Sequence, residues 1–335
     1  MEENQVRQNK ATKEWVIYAP SRSKRPKDFK QDKAERKALP AHEKNCPFCR
    51  GNSHMLPGII MQVPGNHSDE WQVRIVPNKF AALVPDGSNN RRQEGIYTVM
   101  SSHGRHEVVI EHPDHNQTIA TMSRDAVQTV VETYHKRYVD VMRENENMLA
   151  IIFRNHGKRA GTSLVHPHSQ LIVTAFVPRY IRWREDEAQR YYDEWGRCVF
   201  CDILEFELKH KTRIIFENEH MLAFVPYHAE VPFETWVMPK KHQADFGDIT
   251  DAEKIDLAAA VQEILRRLYE KLNDPDYNYI INTSARYKAG EPQLHWYLQI
   301  RPRLTTQAGF EIGSGICINP SMPENDADFL NDGYS

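Results

Sequence analysis

His166-Pro167-His168-Ser169-Gln170 sets two imidazoles and an amide at alternate positions just ahead of the apolar run Leu171-Ile172-Val173. Such a run reads as a strand, and alternation along a strand puts His166, His168 and Gln170 on one face. Upstream lie Asn155 and the small-residue run Ala160-Gly161-Thr162-Ser163, a loop able to present backbone N–H groups. The combination suits attack on a phosphate, with one histidine as nucleophile and the other fixing geometry. A bare His-x-His is as readily a structural or metal-binding pair. The weight therefore rests on the whole run from Asn155 to Gln170.

Two CxxC pairs, Cys46/Cys49 and Cys198/Cys201, raise a second kind of chemistry. A disulfide framework does not suit the reducing cytoplasm, and a redox pair would need a thioredoxin-like context that the sequence lacks. Zinc is the better reading. The fifth cysteine, Cys317, reads as a buried apolar filler.

The elements around each CxxC repeat. In the first half Cys46/Cys49 precede Val108-Val109-Ile110 and then His115; eight residues later Ser123 opens an amphipathic pattern through Val127, Val130, Val131, Tyr134, Tyr138 and Val141. That is helical spacing. The strand Leu149–Phe153 follows, and His166 lies 51 residues beyond His115. In the second half Cys198/Cys201 precede Thr235–Pro239 and His242; eight residues later Thr250 opens a helix with Glu253 completing a capping box. The strand Tyr279–Ile281 follows, and His295 lies 53 residues beyond His242. Each half thus offers two thiolates and two imidazoles in the same order, enough for a closed tetrahedral site. The sets are Cys46, Cys49, His115 and His166, and Cys198, Cys201, His242 and His295. Both metals read as structural zinc. A single four-cysteine ribbon would ignore the parallel histidines.

Aligning His166 with His295 sets Tyr297 opposite His168 and Gln299 opposite Gln170. A phenol, with an ordinary pKa near ~10, is a poor nucleophile at neutral pH. One active histidine per chain, His168, follows.

The chain of 335 residues is long enough for two domains or one fold of two similar halves, and 40% hydrophobic with 27% charged residues marks it as globular. A net charge of −3 without a Lys/Arg-rich stripe argues against nucleic acid as a partner. No apolar run approaches the roughly 20 residues of a membrane span, and the first residues lack the layout of a signal peptide. The cytoplasm is the expected compartment.

These motifs resemble the histidine-triad superfamily and, within it, the galactose-1-phosphate uridylyltransferase family. The likeness runs through Ser21–Pro26, Cys46–Cys49, Val76–Leu83, His166–Gln170 and Gly309–Ile312. Hydrolases of the superfamily carry a third histidine where this chain has Gln170, which sides it with the transferase branch. The resemblance implies ping-pong transfer of UMP from UDP-glucose to galactose 1-phosphate through a uridylyl-His168 intermediate, and a homodimer. Gln170 and Ser163 would donate to phosphate oxygens, and the carbonyl of His166 would hold the His168 tautomer. Arg22 and Arg25 match phosphate-binding arginines that reach across the dimer. Asn78 and Phe80 match the nucleoside-binding segment, Asn155 a phosphate or ribose contact, with Gly161 and Thr162 in the phosphate loop. Glu311 matches a carboxylate accepting sugar hydroxyls, and Phe310 stands where some members have tyrosine. The CxxC of the second half and the Ala308–Gly315 stretch also resemble a related branch that phosphorolyses ADP-glucose. That is the second reading, behind the uridylyl–galactose pairing.

For architecture the sequence predicts α+β: histidine-triad-like halves spanning 1–176 and 177–335, each an antiparallel sheet with a long helix packed on it. The two sheets could join into one.

Overall fold

The computed structural model describes residues 3–20, 29, 39–65, 70–87, 90–144 and 147–333. The first half contributes β1 (Gln5–Gln8), β2 (Trp15–Tyr18), β3 (Met61–Pro64), β4 (Trp71–Pro77), β5 (Arg91–Glu94), β6 (Tyr97–Met100), β7 (Gly104–Ile110), α1 (Arg124–Met142), β8 (Leu149–His156) and β9 (His168–Thr174). Two helices follow, α2 (Arg179–Trp195) and α3 (Val199–His210). The rest comprises β10 (Ile214–Glu217), β11 (Met221–Phe224), β12 (Thr235–Pro239), α4 (Asp251–Leu272), β13 (Tyr277–Asn282), β14 (Tyr297–Pro302), α5 (Gly309–Ser314), β15 (Cys317–Asn319) and α6 (Pro323–Asn331).

Ten strands form one sheet in the order β10-β11-β12-β14-β13-β8-β9-β7-β4-β3. Every pairing in it is antiparallel. The order reads as two five-stranded halves meeting at a seam where β8 pairs with β13. Register confirms the internal repeat: Phe153 opposes Gln170 and Ile280 opposes Gln299. Asn155 of one half therefore occupies the place of Asn282 in the other.

The two long helices form where the apolar spacing predicts. Ser123 caps α1 by accepting from the Ala126 N–H, and the Thr250–Glu253 capping box opens α4. Both pack on the same face, so Val130, Tyr134, Val261 and Ile264 share one core with Leu171, Val173, Leu298 and Ile300 of the sheet. Residues of opposite parity, His168, Gln170, Tyr297 and Gln299, consequently point to the other face.

That second face is treated differently in the two halves. Over the C-terminal strands, α2 and α3 bring Ala188, Val199, Phe200 and Leu204 onto Leu222, Phe224, Trp236, Met238 and Tyr297. Over the N-terminal strands the cover is thinner: Phe48 and the Cys46/Cys49 turn lie on Val76, Val108 and Ile110. The segment after β9 is thus helical. A separate three-stranded sheet, β1-β2-β15, ties both chain ends to the second half, where the Tyr18 hydroxyl donates to the Ala229 carbonyl at 2.8 Å. Among the described residues no helix is long and apolar enough to cross a membrane.

Candidate active site and metal clusters

The strand that the sequence placed at His166 begins two residues later, at His168. Alternation therefore aligns His168 with Gln170 only. His166 sits in the preceding loop and turns its ring the other way, into the first Cys/His group. The His166 Nε2–H donates to the His112 carbonyl at 2.7 Å, leaving Nδ1 to face Cys49 Sγ at 3.6 Å. His115 Nδ1 lies at 3.6 Å from the same sulfur.

Cys46, Cys49, His115 and His166, all buried, bring one ligand atom each within 4.8 Å of the others. Zinc bonds of about 2.3 Å to sulfur and about 2.0–2.1 Å to nitrogen give a tetrahedral S···N edge of about 3.6 Å. The observed separations fit that tetrahedron. Burial pushes the Cys46 thiol up to about 11 and the His166 ring down to about 3. A neutral imidazole is what a metal needs, and a thiolate there needs a cation to offset its burial. This group could hold a metal ion.

Cys198, Cys201 and His242 form a second group, with Cys201 Sγ 3.3 Å from His242 Nδ1. Cys198 caps α3, so its sulfur and that of Cys201 lie in and beside the first turn. A hydrogen bond from the Cys201 thiol, with His242 beside it, pulls Cys198 down to about 4, while Cys201 is raised as its donor. The fourth expected ligand, His295, stands outside that tight group. Its ring centroid is 5.5 Å from that of His242, its Nδ1–H donates to the Trp296 carbonyl, and its buried Nε2 has no hydrogen-bond partner. An orphaned imidazole nitrogen beside two thiols and a histidine fits a metal ligand.

His168 is 9% exposed, and burial pushes it down to about 4, so the ring is neutral at physiological pH. Its Nδ1–H donates to the His166 carbonyl at 2.8 Å, which fixes the tautomer and leaves the Nε2 lone pair unprotonated. Phe48, between the two cysteines of the first group, packs against the His168 ring at 5.4 Å and the His166 ring at 5.9 Å.

The ladder between β8 and β9 ends at Phe153 and Gln170. Where the strands part, a cleft of about 720 Å³ opens, lined among others by Asn155, Thr162, Ser163, His166 and His168. The loop before His166 rises from β8 through a short turn at Lys158–Ala160 and reverses at Gly161, whose φ of 93° favours glycine. Ser163 is exposed to the cleft.

Gln170 is held from the neighbouring strand. His106 Nδ1 accepts from the Ala82 N–H at 3.1 Å, so Nε2 carries the proton and donates to Gln170 Oε1 at 2.7 Å. The Gln170 carboxamide oxygen is thereby occupied and its N–H groups remain for an oxygen-rich ligand. The second half repeats this pairing: the Gln299 amide donates to Glu234 Oε1 at 2.7 Å, and Glu234 stands where His106 stands. Asn78 lies beside both, with its Nδ2 3.4 Å from Gln170 Oε1 and its Oδ1 accepting from the Phe80 N–H. Phe80 is 83% exposed.

Other expected residues lie apart. Glu311 caps the short α5, accepting from the N–H groups of Ala308 and Ile318; like Gln170, Asn78, Phe80 and Gly161, Glu311 and Phe310 are not among the residues that line the cleft. Arg22 and Arg25 fall outside the described residues. The sequence reading missed His106, His112, Phe48 and Asn278. Of these, only His106 had a signal, the equivalence with Glu234 through the repeat.

In the second half Tyr297 occupies the place of His168, and it stacks on Trp236 at 4.3 Å. Arg184 of α2 donates to Asn282 Oδ1 at 2.6 Å, and its Nη1 stands 3.5 Å from the Tyr297 hydroxyl. Residues of α2 and α3 and the Trp236 ring thus cover the place where the first half opens its cleft.

Residues 1–178 match the model of the galactose-1-phosphate uridyl transferase N-terminal domain, and residues 184–308 match that of its C-terminal domain. An ADP-glucose phosphorylase of Arabidopsis thaliana is 34% identical, the match covering 96% of this chain and 90% of the relative. A galactose-1-phosphate uridylyltransferase of Thermotoga maritima is 28% identical, covering 96% of each. The crystal structure of the Arabidopsis ADP-glucose phosphorylase with bound ADP-glucose superposes with a TM-score of 0.84 at 31% identity, covering 99% of both chains. With family models matched over both halves, the chain belongs to the galactose-1-phosphate uridyl transferase family, a family of nucleotidyltransferases.

Proposed function

We propose that this chain transfers a nucleoside monophosphate from a nucleotide sugar to a phosphate-bearing acceptor through a covalent nucleotidyl-His168 intermediate. The observation that carries the reading is the His168 ring, buried, neutral and with its Nδ1–H committed to the His166 carbonyl. The Nε2 lone pair attacks the α-phosphorus; the P–N bond forms as the bond to the bridging oxygen breaks, and sugar 1-phosphate leaves with that electron pair. In the second half-reaction an acceptor phosphate oxygen attacks the same phosphorus, and the P–N electron pair returns to Nε2. Gln170 and Ser163 donate to the phosphate oxygens, where preorganised donors act on the charge that builds up. Asn155, Gly161 and Thr162 shape the phosphate cradle, while Asn78 and Phe80 hold the nucleoside. Arg22, Arg25, Phe310 and Glu311 belong to substrate binding in a homodimer.

Zinc at the two Cys/His groups would be structural. With four protein ligands it offers no open position and acts by rigidity, through His166, whose carbonyl holds His168. Free thiols at such sites suit a reducing cytoplasm.

For substrate, the 34% identity to an ADP-glucose phosphorylase supports ADP-glucose as donor and inorganic phosphate as acceptor. The second reading keeps UDP-glucose and galactose 1-phosphate, which the family models and the relative from Thermotoga maritima favour. The sequence alone had ranked these the other way. Incubation with each nucleotide sugar, paired with each acceptor, tests both. ADP released from ADP-glucose and phosphate is the expected product, and UDP-galactose from the uridylyl pair would select the second reading. Turnover of neither donor would sink both.

A further inference from the structure

The loop at 157–163, which brings Thr162 and Ser163 to the cleft, is held by side chains of the other half. Asn278 lies on β13 opposite Asn155 in the seam register. Its Nδ2 donates to Asn155 Oδ1 at 2.8 Å and to the Ala160 carbonyl at 2.9 Å. Two residues earlier, Asp276 Oδ2 accepts from the Arg159 N–H at 2.7 Å. Gly157 rests on the same carboxylate with a φ of +85°, and a Cβ there would meet Asp276 Oδ1 at 2.1 Å. The loop is therefore pinned at its start, its turn and its third residue by β13 and the residue just before it, a segment that contributes nothing to the Cys/His group at His166.

We propose that Asn278 and Asp276 are positioning residues for nucleotidyl transfer at His168, holding the phosphate loop across the seam and orienting the Asn155 amide. That role rests on the nucleotidyl-His168 reading. Because Asn155 Oδ1 accepts from Asn278, the Asn155 N–H groups are the part left to face the cleft that Asn155 lines. They are then donors for a non-bridging phosphate oxygen. Asn278 is not among the residues that line the cleft, and Asp276, which does line it, has its Oδ2 committed to the Arg159 N–H; both act through Asn155 and the loop. The second half, whose own site is filled by Tyr297, Trp236 and Arg184, thus retains a part in the chemistry of the first.

The two halves of that proposal separate by substitution. Asn278→Ala removes both donors. Asn278→Asp keeps the volume but sets a carboxylate against two acceptors, and it attracts the Asn155 N–H groups away from the cleft. A role in packing alone predicts that the isosteric variant is the milder one; positioning predicts that it is at least as damaging.

The experiment follows the single-turnover rate of adduct formation on the full chain by intact mass, with ADP-glucose and UDP-glucose as donors, beside melting temperature and zinc content. Positioning predicts a fall of about 10²-fold in the saturating rate for Asn278→Asp, with the half-saturating donor concentration little changed, as for a misplaced reacting group. Adduct still reaches one per chain, and melting temperature and zinc stay at wild-type levels. Asp276→Asn, which keeps the shape while weakening the hold on the Arg159 N–H, gives a smaller loss of the same kind. An unchanged rate, a loss that tracks melting temperature across the variants, or an Asn278→Asp variant faster than Asn278→Ala overturns the proposal. Absence of adduct in the wild type defeats the nucleotidyl-His168 reading instead.

Discussion

The His168 Nδ1–H donates at 2.8 Å to the backbone carbonyl of His166, the residue whose own ring turns into the first Cys/His group. One peptide therefore links that group to the nucleophile. Its hold on His168 is indirect, through orientation and tautomer alone.

Replacing a ligand in each group separates their roles. Cys46→Ser is expected to lose one metal equivalent and to slow turnover about 10–100-fold, since outer partners of a positioned group carry effects of that size. Cys198→Ser is expected to lose the other equivalent and to lower the melting temperature, with turnover near wild type. Metal analysis of each purified variant, beside its activity, checks both; an unchanged metal count in either removes that site.

Gln170→Ala is expected to lower turnover by about 10²–10³-fold, the loss that follows removal of a preorganised donor. His106→Leu frees the Gln170 carboxamide to rotate and costs less. Because the two act as one unit, the double variant falls no further than Gln170→Ala alone. Additive losses in steady-state rates would mean that His106 acts on its own.

Tyr297→His restores the missing imidazole of the repeat without restoring a site, because Trp236 and the α2 and α3 side chains fill the space a phosphate needs. The variant is expected to take up one nucleotidyl group per chain, as before, and to lose about 1–3 kcal/mol of stability. A second adduct, or any adduct in a His168→Ala/Tyr297→His double variant, would show that the cover is not what silences the second half.

Asp326, fully buried, accepts from the Phe233 N–H and the Ser321 hydroxyl, yet burial pushes it up to about 7. An unfolded aspartate loses its proton near about 3.9. Between those values the folded chain holds a proton that the unfolded chain has released. Each pH unit upward through that window therefore subtracts up to about 1.4 kcal/mol, with no further change from this group above it or below it. Urea unfolding from pH 4 to 8 should show this decline in the wild type and a flatter profile in Asp326→Asn. Equal slopes would contradict it.

Much of this was legible from residue spacing. The apolar periodicity behind Ser123 and Thr250 located both long helices, and the matched offsets from His115 to His166 and from His242 to His295 exposed the repeat. Tyr297 opposite His168 identified the half with a free imidazole. The start of β9 was misplaced because Pro167 ends the loop, so His166 does not share the strand's alternation. Asn278 could not be found because its importance comes from cross-strand register, which no local pattern encodes. The cover of α2 and α3 over Trp236 is likewise a matter of tertiary packing. Phe310 and Glu311 matched by motif and lie on α5, outside the residues that line the cleft.

The most direct test mixes the wild-type chain with ADP-glucose alone, and in parallel with UDP-glucose alone, and reads the intact mass before any acceptor is added. One AMP- or UMP-sized adduct per chain, mapped to His168 and missing in His168→Ala, is the predicted result. An unmodified chain that still turns over nucleotide sugar, or an adduct that persists in His168→Ala, would contradict the covalent role of His168.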